Sequence, residues 1–235
     1  MKKRGEILVI IPARGGSKEI KNKNIMLVND KPLIYYTIKP ALEAKEKGMV
    51  DEVFVSTDSV KIAAVAKNLG VNTPFLRPKK ISGDKAKSID LVIHALDSFS
   101  RIGKTFSWVM LLLPTSPLRT LEDLRNSIRL IEKYPNKQSL ISCYKDESIN
   151  DTIMYKAQNL KVVALSSFHN KGQRRQDREP IYIRNGAIYL SKVKFILKNK
   201  LIFENKPLLY EMPKNRSINI DAYDDLKLFS NIICK

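Results

Sequence analysis

Arg14-Gly15-Gly16-Ser17-Lys18 stands where a run of branched apolar side chains stops, and Lys21 and Lys23 follow within the same short stretch. Glycines let backbone N–H groups approach a ligand, while arginine and lysine supply positive charge where a loop leaves a sheet. Such a loop could cradle a polyphosphate. Far along the chain, in Asn219-Ile220-Asp221, one carboxylate could hold a divalent cation against phosphate oxygens. Moving a nucleotide from a triphosphate to a hydroxyl needs little more. The α-phosphorus must be held in line with the attacking oxygen, and charge on the departing pyrophosphate must be neutralised. Both features also have plainer readings. The glycine pair could be an ordinary βα turn, for the loop matches neither G-x-x-x-x-G-K-[ST] nor G-x-G-x-x-G. Asp221-Ala222-Tyr223-Asp224-Asp225, ahead of an apolar stretch, could simply begin a helix, where acids complement the dipole.

The elements that would position these groups read as alternating strands and helices. Residues 7–11 are a continuous apolar run, as in a strand buried on both faces, and Pro12-Ala13 ends it. Lys31-Pro32 is expected to open a helix with Pro32 in its first turn, closed by Gly48. Residues 50–55 form a second strand. Ser56-Thr57-Asp58-Ser59 then reads as the cap of a helix ending at Leu69-Gly70, which makes Asp58 a cap residue rather than a catalytic one. An extended piece, 71–77, leads to a helix beginning at Ser88, on which the solitary His94 reads as structural. Residues 108–113 are a third strand, running into the rigid turn Pro114-Thr115-Ser116-Pro117, and Thr120 caps a helix through Tyr134. Arg119 fits equally a phosphate contact or a solvated cation on the helix rim. Strands are expected at 140–144, 188–190 and 217–220, the last placing Asp221 at a strand end, followed by a helix from Tyr223 through Cys234. The pattern predicts an α/β fold, three-layered, with a mainly parallel sheet covered on both faces.

The chain has 235 residues, enough for one sizeable core, and a formal net charge of +18. Such a charge attracts polyanions, but the lysines are dispersed, without a basic helix or an aromatic-interleaved stretch, so nucleic acid is not the expected partner. No apolar run is long enough to span a bilayer, and the first residues lead into a strand rather than a signal segment. Cys143 and Cys234 make no framework, so a cytoplasmic, single-domain protein is expected.

Pro12-Ala13-Arg14-Gly15-Gly16-Ser17-Lys18 with Lys23-Asn24 resembles the signature of the acylneuraminate cytidylyltransferases, the CMP-sialic acid synthetases. Ser56-Thr57-Asp58, Leu76-Arg77-Pro78, Pro114-Thr115-Ser116-Pro117-Leu118-Arg119, Asn185-Gly186-Ala187-Ile188-Tyr189 and Ile220-Asp221 extend the resemblance, in order, over nearly the whole chain. It implies a Rossmann-like nucleotidyltransferase making a CMP-activated nonulosonic acid and pyrophosphate from CTP and a 2-keto-3-deoxy sugar acid. Ala13, Arg14, Gly15, Gly16, Ser17 and Lys23 would meet the nucleotide, with Asn24 orienting it and Arg77, Ala86 (through its backbone) and Ser88 reading cytosine. Arg14 and Lys23 would stabilise charge, and Asp221 would hold Mg²⁺. Leu113, Arg175, Asn185 and Gly186 fall on the sugar side. Residues 145–184, polar and weakly periodic, with a charge run at 171–178 that could be a solvated loop, match an extension that crosses to a second subunit, implying a homodimer.

The sequence departs from the family pattern in places. Asn219 stands where a second acid is usual, Leu113 where a glutamine faces the sugar, and Ile183 where sialic-acid-specific members carry arginine, with Arg184 displaced by one. The nucleotide half is intact and the sugar half altered, favouring a relative of neuraminate such as legionaminate. The alternatives are activation of an eight-carbon acid of the 3-deoxy-manno-octulosonate type, or a catalytically silent nucleotide-binding partner suggested by Asn219.

Overall fold

The computed structural model describes residues 5–16, 19–149, 151–169 and 180–234. Its centre is β1 (Ile7–Pro12), in which Ile7 to Ile11 are all fully buried. β1 lies between β4 (Glu52–Ser56) and β5 (Trp108–Leu111), parallel to both. β6 (Ser139–Asp146) and β10 (Leu208–Glu211) pair in parallel at the far edge. β9 (Ile181–Lys192) runs antiparallel between β5 and β6, giving a six-stranded sheet of order β10-β6-β9-β5-β1-β4. The mainly parallel α/β sheet expected from the sequence is present, with one reversed strand in its middle.

The alternation of side chains along β1 sorts the core into two layers. Ile7, Val9 and Ile11 pack with α1 (Tyr35–Glu46), α2 (Val60–Asn68) and α4 (Leu121–Lys133) on one face. Leu8 and Ile10 pack with α3 (Ser88–Arg101) and Ile196 of α5 (Val193–Asn199) on the other. A third cluster positions the site. Ile20, Val28 and Leu33, from the chain just after the glycine loop, bury against Ile220 and against Leu226 and Phe229 of α6 (Tyr223–Ile233). Apolar burial thereby joins the two ends of the sequence that carry the basic loop and Asp221.

Some sequence expectations are corrected. Lys31-Pro32 does not open a helix. It is β3 (Lys31–Pro32), the return strand of a hairpin with β2 (Leu27–Val28), and Asn29 and Asp30 between them take φ of 47° and 57°. This is the left-handed pair that tight hairpins favour and that Asn and Asp tolerate best after glycine. Residues 217–220 form no strand. The sheet position expected for them belongs to β10, and they are tied in by the Ile220 N–H donating to the Thr115 carbonyl at 2.7 Å. The strand expected at 188–190 is the end of the longer β9. Its earlier part was hidden by a bulge, because Cys143 pairs with Arg184 and Ile141 with Tyr189, leaving residues 185–188 opposite Ser142 alone. Between β6 and β9 the chain adds a separate hairpin of β7 (Tyr155–Gln158) and β8 (Lys161–Ala164), within a stretch whose sequence is polar and weakly periodic.

Candidate functional site

A cavity of about 600 Å³ opens where β1 and β5 end, the position at which open α/β sheets receive ligands. Its wall comes from the loop after β1 (Pro12, Arg14, Glu19, Lys23, Asn24), from residues 77–91, from Leu113-Pro114-Thr115, and from Asp221. The basic loop and the acid of the C-terminal part therefore share one cavity. Lys23 Nζ donates to the Ile220 carbonyl at 2.9 Å and the Asp221 carbonyl at 3.3 Å, and stands 3.6 Å from Asp221 Oδ1.

Asp221 does not cap α6. The N-cap is Ala222, and Asp225 in the first turn reaches back to it, its Oδ2 accepting from the N–H groups of Asp221 and Ala222 at 2.9 and 2.7 Å. The Asp221 carboxylate is thus left on the cavity, 70% exposed, with Asn219 Nδ2 donating to its Oδ2 at 2.5 Å. A magnesium ion commonly takes one or two carboxylates and completes its shell with waters and substrate phosphates. One open carboxylate beside a cation-lined cavity fits that demand. Among the described residues no group of three or more His, Cys, Asp or Glu could form a cage of its own.

The glycine loop is held by acids. The Gly15 N–H donates to Asp58 Oδ1 at 2.9 Å, and Arg14 Nη1 pairs with Asp84 Oδ1 at 2.8 Å across the cavity. Of the two acids, Asp84 carries no local signal in the sequence. Within Ser56-Thr57-Asp58-Ser59 the cap of α2 is Ser59, whose side chain accepts from the Ile62 N–H, and Asp58 serves the glycine loop instead. Asn24 is buried, its Nδ2 donating to the Arg14 carbonyl at 3.1 Å, and it fixes the loop from below. Ala13 is buried, its N–H bonded to the Ser56 carbonyl at 2.9 Å. Neither it, Gly15 nor Gly16 contributes to the lining. Ser17 lies outside the described residues, as does Arg175.

On the opposite wall Arg77 is only 6% exposed, and its Nε and Nη2 have no partner among the described residues. Burial pulls this guanidinium below its ordinary pKa, and nearby Arg14 adds to the effect while Asp58 opposes it. Arg77 itself lines the cavity, and buried N–H donors without acceptors are uncommon enough in a folded protein to call for a partner. Ala86 and Ser88 line the same wall. Behind Arg77, His94 meets Phe75 edge-on at 5.9 Å and leaves Nδ1 buried and unpaired, in keeping with a packing role.

The sugar-side candidates are placed differently. Leu113 lines the cavity. Asn185 does not, for its amide is spent in the bulge of β9. Its Oδ1 accepts from Ser142 Oγ at 2.6 Å and the Ala187 N–H at 3.1 Å, and its Nδ2 donates to Ser217 Oγ at 2.9 Å. Gly186 has φ 71°, and a Cβ there would lie 3.1 Å from Leu113 Cδ1. Arg184 stands over the Phe203 ring at 5.0 Å and is not part of the wall. Arg119 is neither a phosphate contact nor a rim cation. It is 3% exposed and donates to carbonyls and a hydroxyl inside the protein, and burial lowers its pKa to about 9.

An open α/β sheet with a basic, glycine-containing loop, an unpartnered buried arginine and a carboxylate around one strand-end cavity defines the class. The profile of the family described as Cytidylyltransferase matches residues 8–227, and the chain belongs to that family. It is 35% identical over 235 residues to the CMP-N,N'-diacetyllegionaminic acid synthase of Legionella pneumophila, with 97% of this chain and 96% of that one covered. It is 34% identical to the pseudaminic acid cytidylyltransferase of Campylobacter jejuni, again covering 97% and 96%. The N-acylneuraminate cytidylyltransferase of Escherichia coli O18:K1:H7 is 33% identical over 96% of this chain, which spans 51% of that protein's length. Among solved structures, CMP:2-keto-3-deoxy-manno-octonic acid synthetase complexed with CTP superposes with a TM-score of 0.72 at 15% identity, covering 97% of this chain and 98% of that one, a likeness of fold.

Proposed function

We propose that the protein transfers CMP from CTP to the anomeric hydroxyl of a nine-carbon 2-keto-3-deoxy sugar acid and releases pyrophosphate. What supports this reading above all is the approach of Lys23 Nζ to Asp221 Oδ1, 3.6 Å, within a cavity that Arg14 and Arg77 also border. The relatives named above act, by their names, on neuraminate, pseudaminate and legionaminate.

In this reading Arg77, the Ala86 backbone and Ser88 take the cytosine. Arg14 leaves Asp84 for the triphosphate, and Lys23 neutralises charge building on the pyrophosphate. Asn24 keeps the loop in its phosphate-facing shape by holding the Arg14 carbonyl. Asp221 would hold Mg²⁺, which would supply Lewis-acid neutralisation of phosphate charge. Leu113 offers the sugar an apolar contact. The hairpin of β7 and β8 exposes Tyr155, Val162 and Val163, and the chain just before it exposes Ile153 and Met154, which fits a partner in the homodimer we expect. No helix among the described residues is long and apolar enough to cross a membrane, and a cytoplasmic setting, where CTP is made, suits the reaction.

Pyrophosphate release measured with CTP, Mg²⁺ and a panel of neuraminate, legionaminate, pseudaminate and 3-deoxy-manno-octulosonate tests the assignment. Turnover is expected with a nine-carbon acid. CTP binding without turnover on any acid would overturn the enzyme in favour of a silent nucleotide-binding partner, and turnover on the eight-carbon acid alone would move the substrate class.

A further inference from the structure

The Leu113-Pro114-Thr115 wall and the β9 bulge meet without a regular ladder between them, and a buried cation joins them. Arg119 Nη2 donates to the Leu113 carbonyl at 2.5 Å, Nε to the Ala187 carbonyl at 2.8 Å, and Nη1 to Thr37 Oγ1 of α1 at 2.7 Å. Ser116 works beside it. Its N–H donates to the same Leu113 carbonyl at 3.2 Å, and its Oγ to the Asn185 carbonyl at 2.6 Å. The side chains complete the joint, since the absent Cβ of Gly186 would lie 3.0 Å from Ser116 Oγ and 3.1 Å from Leu113 Cδ1.

None of the three acceptors that Arg119 holds carries a charge. Burying a guanidinium against neutral acceptors is costly, and apolar packing of similar volume would often serve stability equally well. What an apolar side chain could not do is fix two carbonyls from different segments at one planar group. Five N–H donors in a rigid fork set both distance and angle. The two carbonyls belong to Leu113, which lines the cavity, and to Ala187, in the bulge against which Leu113 leans. Arg14, Lys23 and Arg77 share no hydrogen bond with Arg119.

We propose that Arg119 is a positioning residue that sets the width of the cavity on its acceptor side, and so the protein's selectivity among sugar acids, while leaving CTP binding alone. The inference rests on the cytidylyltransferase reading. Loosening the joint moves Leu113 relative to the α-phosphorus, and misplacements of about 1 Å can cost on the order of a hundredfold in rate.

The test compares Arg119→Met, Arg119→Lys and Thr37→Val with wild type, using the sugar acid that wild type turns over best. KM is read separately for that acid and for CTP, and CTP affinity is read by calorimetry. Arg119→Met should raise the sugar-acid KM by about tenfold or more and flatten discrimination within the panel, with CTP affinity within about twofold, and Arg119→Lys should recover part of the loss. Thr37→Val removes one acceptor far from the cavity and keeps the test open if the Arg119 variants do not fold; it should raise the same KM by about threefold. Equal rises in both KM values, or a lowered unfolding midpoint with the sugar-acid KM unmoved, would overturn the inference alone. Wild type without pyrophosphate release on any acid would instead overturn the functional reading and the inference with it.

Discussion

The two sides of the cavity are built on opposite plans. On the side proposed for the nucleotide, polar groups are left uncommitted or exchangeable. The Arg77 guanidinium is buried with nitrogens unpartnered, Asp221 faces the cavity 70% exposed, and Arg14 is held by an acid that a phosphate can replace. On the side proposed for the sugar, the polar side chains of Asn185 and Arg119 are consumed by the protein itself. Asn185 uses both ends of its amide within the β9 bulge, Arg119 is committed to two carbonyls and a hydroxyl, and of the candidates expected to meet the sugar the apolar Leu113 lines the cavity. One side stores binding capacity at the expense of unsatisfied donors. The other stores shape. The difference teaches that a residue of a family motif, such as Asn185, can be retained for architecture rather than for contact with a ligand.

Substitutions can break or sharpen this contrast. The largest effect is expected for Asp221→Asn, which should cut kcat for pyrophosphate release by about 10²–10³-fold, with an unchanged unfolding midpoint because the side chain is exposed. Arg77→Met comes next. CTP affinity by calorimetry should fall by about 10–100-fold, whereas stability in urea should hold or rise, since the guanidinium nitrogens Nε and Nη2 gain nothing from the protein. Asn185→Leu should show the reverse, losing about 2–3 kcal/mol in urea with CTP affinity intact, because Ser142, Ser217 and the Ala187 N–H lose their partner. If Arg77→Met destabilised and Asn185→Leu weakened CTP, the division of labour would be wrong.

The smallest effect concerns pH. Burial lowers the His94 pKa below its usual value, helped by Arg77 and Arg101 against Asp97. The unfolded chain therefore binds a proton that the folded one refuses, and stability should decline as pH drops below about 6.5, until the folded-state pKa is passed. His94→Phe should flatten that limb in urea titrations at successive pH values. Asp123 acts in a lower window. Burial raises its pKa, but hydrogen bonds from Arg216 and Thr120 outweigh this and leave it below the usual value, so its contribution should persist until pH falls below about 4.

Much of the nucleotide side was legible because its determinants are local. Branched residues before paired glycines announce β1 and its loop, and Thr120 with Asp123 announces the start of α4 by a reciprocal cap. The hairpin of β2 and β3 was missed although Asn29-Asp30 is a usable turn signal, because Pro32 followed by an apolar stretch imitates a helix start. The sheet's last strand was assigned to residues 217–220 and belongs to β10, since strand pairing is settled by partners far away in sequence, here β6. Arg119 was illegible for the same reason. Nothing beside it in the chain reveals that Thr37 and Ala187 will converge on its guanidinium. Asp84 has no local signal either, for only the fold brings it to Arg14.

The measurement that bears most directly on the central claim is a crystal structure of the protein with CTP and Mg²⁺. The account predicts the cytosine against Arg77, Ala86 and Ser88, Arg14 turned from Asp84 to the triphosphate, and the metal between the phosphates and Asp221. CTP bound with its base away from Arg77, or with its phosphates out of reach of Lys23 and Asp221, would contradict it.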